Sequence, residues 1–161
     1  TFAVGEIKPE LKKLMAVTKK ALALGIEQAV DGNRTGDIGF AVQQYAERRH
    51  KYGVIRELCG HGLGRDLHEP PDVPNYGKRG KGVKLRKGMV LAIEPMINLK
   101  RKEIRQLNDG WTIVSRDGSP SAHFEHSLVI TEGAPDLLSD HTIIREAIKK
   151  NPQVADFSIK N

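Results

Sequence analysis

The chain has 161 residues, 39% of them hydrophobic, and carries 26 Lys and Arg against 20 Asp and Glu for a formal charge of +6. That length supports one core rather than two, and no apolar run nears the roughly 20 residues of a membrane helix, which argues against a membrane-spanning protein. The single cysteine excludes an internal disulfide and suits a reducing compartment, so a cytoplasmic location is expected. The chain starts at Thr1 and opens on the strand-like Phe2-Ala3-Val4, the pattern expected of a stretch from within a longer polypeptide. Pro9 sits where a first helical residue would, and Leu11, Leu14, Met15, Ala21, Leu22, Leu24, Ile26 and Val30 recur at mostly helical spacing. An amphipathic helix over 9–30 is predicted, closed by Asp31-Gly32-Asn33. Thr35 or Asp37 can cap a second helix with Ile38, Val42 and Tyr45 inward, ending near Lys51 ahead of Gly53.

Residues 54–58 then read as a strand that delivers the chain to Cys59 and His61. From Pro70 to Gly88 the prolines, glycines and lysines read as a long loop. Strand signals return over 89–97, shorter ones over 103–107 and 111–115 flank the Asn108-Asp109-Gly110 turn, and 123–131 is the longest strand-like run. Residues 140–150 read as a short helix, and Asn151-Pro152 begins a polar tail. The expected class is α+β, with two long helices on one face of a curved, mainly antiparallel sheet.

The chemistry concentrates in Cys59-Gly60-His61-Gly62-Leu63-Gly64-Arg65-Asp66-Leu67-His68-Glu69-Pro70-Pro71. The glycines suggest a backbone that turns sharply while imidazoles point into a common space. Two isolated carboxylates follow in apolar runs, Glu94 and Glu125, and each costs several kcal/mol to bury without a compensating cation. A His and two Glu from neighbouring strands can converge on a metal, and that donor set suits Zn, Mn, Fe or Co. The competing readings are a hydrogen-bonded structural role for His61 and salt bridges to loop lysines for Glu94 and Glu125. His68 fits either a hydrogen-bond donor to a substrate carbonyl or a partner of Glu69. His123 shares a strand face with Glu125 and is a candidate site residue, whereas His126 points away and reads as structural. Cys59 reads as a nucleophile or a small apolar pocket wall; Trp111 reads as core packing or a pocket lid.

Lys78, Arg79, Lys81, Lys84, Arg86 and Lys87 crowd one loop and Lys100, Arg101, Lys102 and Arg105 another. They read as solvated surface or as a contact for an anionic partner such as ribosomal RNA. Aromatics make up 5% of the chain and do not interleave with the charges, which argues against sequence-specific nucleic-acid binding.

The Cys59-Gly60-His61-Gly62-Leu63-Gly64 run through His68-Glu69-Pro70, with Val73-Pro74-Asn75-Tyr76-Gly77, Ala92-Ile93-Glu94-Pro95-Met96-Ile97, Asp109-Gly110-Trp111-Thr112 and Ala122-His123-Phe124-Glu125-His126, resembles a type I methionine aminopeptidase of the pita-bread fold. The resemblance implies a pita-bread aminopeptidase domain, mainly its C-terminal half, over 1–138, followed by a C-terminal helix and polar tail over 139–161. It further implies removal of the initiator methionine from nascent proteins and peptides by hydrolysis through a water activated by two divalent ions, Co, Mn, Fe or Zn. His61, Glu94 and Glu125 match metal ligands, Glu94 also handles the proton of the water, and His68 matches the histidine that contacts the scissile carbonyl. Cys59 and Trp111 match positions around the methionine pocket. Two further aspartate ligands of the family would precede Thr1. His123 stands where family members often have glutamine, and Leu58 and Leu67 stand where aromatic residues often line the pocket. The alternatives are a catalytically incomplete pita-bread binding protein or fragment, or a related aminopeptidase acting on proline peptides.

Overall fold

The computed structural model describes residues 1–151, 153 and 154. Helix α1 (Pro9–Ile26) begins on Pro9, whose missing N–H costs nothing in the first helical turn. It stops earlier than the hydrophobic spacing predicts, because the chain tightens into turns in which Ala29 N–H donates to Ile26 O and Val30 N–H to Gln28 O. Ala29 nevertheless stays buried, which explains why the periodicity ran on. Helix α2 (Thr35–Gln43) opens with Asp37 Oδ2 accepting the Arg34 N–H at 2.9 Å. It continues into a π-helical segment (Gln44–Arg49), so the expected second helix is present but changes its winding halfway.

The strands are β1 (Gly53–Val54), β2 (Gly60–Gly62), β3 (Glu69–Val73), β4 (Val90–Ile93), β5 (Met96–Asn98), β6 (Ile104–Gln106), β7 (Ile113–Ser115), β8 (Ser121–His123), β9 (His126–Val129) and β10 (Asp136–Leu137), and helix α3 spans Thr142–Lys150. Five strands form an antiparallel sheet in the order β10-β9-β4-β2-β3, three form another in the order β1-β5-β8, and β6-β7 is a separate hairpin. The hairpin and α3 fall where the sequence predicts them. The expected polar tail lies mostly outside the described residues.

Four strand expectations need correction. The run expected as a strand over 54–58 is strand only at Val54, the second residue of β1, and reaches Cys59 through bends. The Gly-His-Gly run is itself a strand, β2, with β3 on one side and β4 on the other, rather than a turn. The loop expected from Pro70 begins as β3; two prolines are tolerated there because β3 is the edge of its sheet, where a missing N–H leaves no neighbour unpaired. The runs 89–97 and 123–131 are each split in two, β4 from β5 at Glu94-Pro95 and β8 from β9 at Phe124-Glu125.

Helix α1 packs on α2 and across β4, β5 and β8, and α2 packs on β3, so the helices cover one side of the sheets. Beneath them lie two apolar clusters. One holds Leu14, Val17, Val42, Val54, Ile97 and Ala122; the other holds Leu22, Ile38, Leu85, Leu91, Ile93 and Leu128. Phe124 packs against both. Each fully buried Leu or Ile contributes about 1.5–3 kcal/mol by leaving water.

His50, at the end of the π-helical segment, lies 4.8 Å from the Tyr45 ring and 6.2 Å from that of Tyr52. Burial first, then the charges of Lys13 and Arg49, hold its pKa below the ordinary value of 6.5. Below that value the unfolded chain therefore binds more protons than the folded one, so the contribution of neutral His50 is present above about pH 6.5 and is lost as the pH falls through the depressed folded value. Thermal unfolding followed from pH 7.5 to 5 is expected to show a falling Tm over that window, and His50→Gln is expected to flatten the fall.

Candidate functional site

The two strand breaks lie side by side, and that coincidence builds the site. Ile93 is the register partner of His126, and Met96 that of His123. Glu94-Pro95 therefore faces Phe124-Glu125 at the seam between the two sheets. Pro95 has no N–H to offer a ladder, so pairing must lapse at this level. Side chains alternate along a strand: Ile93 and Phe124 point into the core beneath the helices, which sends Glu94 and Glu125 to the opposite face. The two glutamates thus emerge together where the backbone is already open.

His61 arrives on β2, whose His61 pairs with Ala92 of β4. The glycines on either side make that arrival possible. A Cβ on Gly60 would run into the carbonyl oxygen of Ala92, and one on Gly62 into that of Pro70. Neither glycine has a positive φ, so what they supply is room between strands rather than a turn.

Glu94 is bracketed by imidazoles. Its Oε1 lies 3.3 Å from His61 Nε2 and its Oε2 lies 3.2 Å from His123 Nε2. Glu94, His123 and Glu125 each offer one ligand atom, and these atoms all lie within 4.8 Å of one another. His61 Nδ1 lies 2.9 Å from Gly62 O. A carbonyl only accepts, so Nδ1 carries a proton, which leaves Nε2 as the nitrogen turned toward the Glu94 carboxylate. A proton or a cation must sit between that nitrogen and the carboxylate oxygen 3.3 Å away. A ring that spends one N–H on a backbone carbonyl and aims its other nitrogen at an acidic cluster is the arrangement of a metal-ligating histidine. The residues present therefore fit a divalent cation. Among the described residues no lysine reaches Glu94 within ion-pair distance, so the expected alternative of a lysine salt bridge is not realised.

His68 is exposed, and its ring centroid lies 4.3 Å from that of His61. Glu69 is engaged elsewhere, its Oε1 accepting the Asp66 N–H at 2.8 Å. Cys59 is a half-buried free thiol. Burial first, then the Asp72 and Glu94 carboxylates, push it up from the ordinary thiol range, against a smaller lowering by a backbone hydrogen bond at Val73. A thiol held protonated is a poor nucleophile, which favours the pocket-wall reading of Cys59. Trp111 is 87% exposed at the end of the β6-β7 hairpin, where its N–H donates to Asp109 Oδ1 at 3.0 Å. It is not a core residue. His126 shares a 2.7 Å hydrogen bond with Ser139 Oγ through Nδ1 and stacks on His141 at 4.1 Å, in keeping with a structural role.

Sequence reasoning missed one residue that organises the seam. Asn75 is 1% exposed, and its Nδ2 donates to Glu94 O at 3.4 Å. This bond satisfies a carbonyl that the strand break frees. The signal was present as an asparagine amid Val73-Pro74-Asn75-Tyr76-Gly77, but nothing local tells a buried amide from a turn residue.

Comparison with known proteins shows the family. Residues 1–132 match the model of metallopeptidase family M24. The chain is 47% identical over 139 residues to a methionine aminopeptidase of Clostridium acetobutylicum, covering 86% of this chain and 55% of that protein. It is 46% identical over 139 residues to methionine aminopeptidase 1 of Bacillus subtilis, covering 86% of this chain and 56% of that one. The crystal structure of the methionine aminopeptidase from Rickettsia prowazekii superposes with a TM-score of 0.80 at 42% identity, covering 83% of this chain and 54% of that chain. An X-Pro aminopeptidase from Thermotoga maritima, at 19% identity and a TM-score of 0.63, shares the fold alone. The chain spans about half the length of the curated relatives it matches. The helices over antiparallel sheet seen here are the expected pita-bread arrangement. On the family match and these identities, the chain belongs to the M24 metallopeptidases.

Proposed function

We propose that the protein carrying this chain removes the N-terminal methionine from nascent proteins and peptides by metal-dependent hydrolysis. The observation that carries the reading is Glu94 held between two imidazoles with Glu125 alongside, on a chain 47% identical to a methionine aminopeptidase. His61, Glu94 and Glu125 would supply part of the ligand set for two divalent ions drawn from Co, Mn, Fe or Zn, completed by the two aspartates that the resemblance places ahead of Thr1. When bound, such ions supply Lewis acidity and lower the pKa of water. Glu94 takes the proton of the attacking water and returns it to the leaving amine, a role its carboxylate fills at the seam where both strands are open. His68, exposed beside His61, donates a hydrogen bond to the scissile carbonyl and steadies the oxygen as it gains charge. Cys59 and Trp111 are assigned to the methionine pocket, Cys59 as an uncharged wall.

On this reading the working location is the cytoplasm, and the basic loops offer a ribosome-facing surface. Among the described residues no helix is long and apolar enough to cross a membrane. The second reading, an aminopeptidase of proline peptides, finds less support, because the X-Pro relative is only 19% identical. A substrate panel separates the two. With added Mn or Co the protein is expected to release methionine from Met-Ala-Ser and to stop on chelation. Cleavage of Ala-Pro peptides in preference to Met-Ala-Ser, or release that ignores the chelator, would overturn the proposal.

A further inference from the structure

The histidine on β8 does more than line the site. His123 Nε2 lies 3.2 Å from Glu94 Oε2, the oxygen that His61 leaves free. The three-residue donor group that fits a cation is Glu94, His123 and Glu125, so His123 belongs to it while His61 approaches from the other oxygen. Donor atoms about 2.0–2.2 Å from a common ion lie roughly 3–4.4 Å apart. Atoms within 4.8 Å of one another therefore need shifts of only a few tenths of an ångström to share one.

The backbone beneath His123 is held on both sides. It pairs with Met96 across the β5-β8 ladder. On its other side, His123 N–H donates to Thr1 Oγ1 at 2.9 Å, and His123 O accepts from the Thr1 hydroxyl at 2.9 Å. An imidazole carried on a strand fixed at both edges is preorganised for ligation. Its side chain is 46% exposed, so the nitrogen is open to an incoming ion.

We propose that His123 is itself a metal ligand, so that the centre carries an imidazole on each side of Glu94 and a Glu94-His123-Glu125 set binds one ion by itself. The inference rests on the metal reading above and adds a ligand to it. The test is direct detection of the nitrogen. Protein with 15N-labelled histidine is titrated with Zn(II) alone, and the imidazole nitrogens are followed by long-range 1H–15N NMR. The expected result is that Nε2 of both His61 and His123 moves to the metal-bound position while His126 stays put. His123→Gln is expected to weaken Zn(II) binding about 10-fold or more, and His126→Gln to leave it unchanged. A hydrogen-bonding partner of a ligand can cost a similar factor, so the nitrogen shift decides. A shift at His61 without one at His123 overturns the inference and leaves the metal reading intact. A shift at neither overturns both.

Discussion

Glu94→Gln is expected to lower kcat/KM for methionine release by at least about 10³-fold, in the range of losses seen when a general acid-base group is removed. The amide keeps the size of the side chain but replaces one oxygen by a donor, and both oxygens are in use, one toward His61 and one toward His123. The substitution therefore removes charge from the point where two imidazoles and Glu125 converge. Calorimetric titration with Mn(II) should show a matching loss of affinity, and thermal unfolding should stay close to wild type because Glu94 is only partly buried. Retention of turnover within about 10-fold would remove Glu94 from the centre of the account.

The second large effect concerns the fold beneath the site. Gly60→Ala and Gly62→Ala each place a methyl group against a backbone carbonyl, of Ala92 and of Pro70 respectively. Backbone cannot swing aside as a lysine end would, so β2 must part from one neighbour. A destabilisation of about 2–4 kcal/mol is expected for each, at the upper end for overpacking, or a fall in Tm of roughly 5–15 °C for a chain of this size. Gly133→Ala is the control, because nothing lies within 4 Å of its added Cβ. It is expected to change stability by less than about 0.5 kcal/mol. Equal effects at Gly133 and Gly62 would mean that the crowding of β2 does not decide the choice of glycine.

These glycines also mark the limit of what the sequence discloses. Gly-His-Gly carries the same letters whether the glycines serve a turn or the space between two strands; the neighbours that decide it are Pro70, eight residues away, and Ala92, more than thirty away. The prolines of β3 misled for a related reason, since only sheet order reveals that β3 is an edge. Glu94 was legible because a half-buried carboxylate amid Leu, Ile and Val has a desolvation cost that needs a physical cause; Glu125 is exposed, so the burial expected from its apolar run is not realised and its place beside Glu94 comes from the strand break alone. The seam was not legible: Val90 to Ile97 has continuous strand character, and the break at Pro95 gains meaning only from the matching break at Phe124-Glu125. Trp111 was ambiguous in sequence because its indole suits a core, a pocket and an exposed hairpin alike.

The central claim is that the seam between the two sheets binds a divalent ion through Glu94 and Glu125. The most direct measurement is diffraction from crystals of the protein soaked in Mn(II), with anomalous differences collected at the manganese edge. The account predicts a peak at coordination distance, about 2.0–2.3 Å, from carboxylate oxygens of both glutamates. An anomalous map at saturating Mn(II) with density elsewhere, or none at the seam, would contradict it.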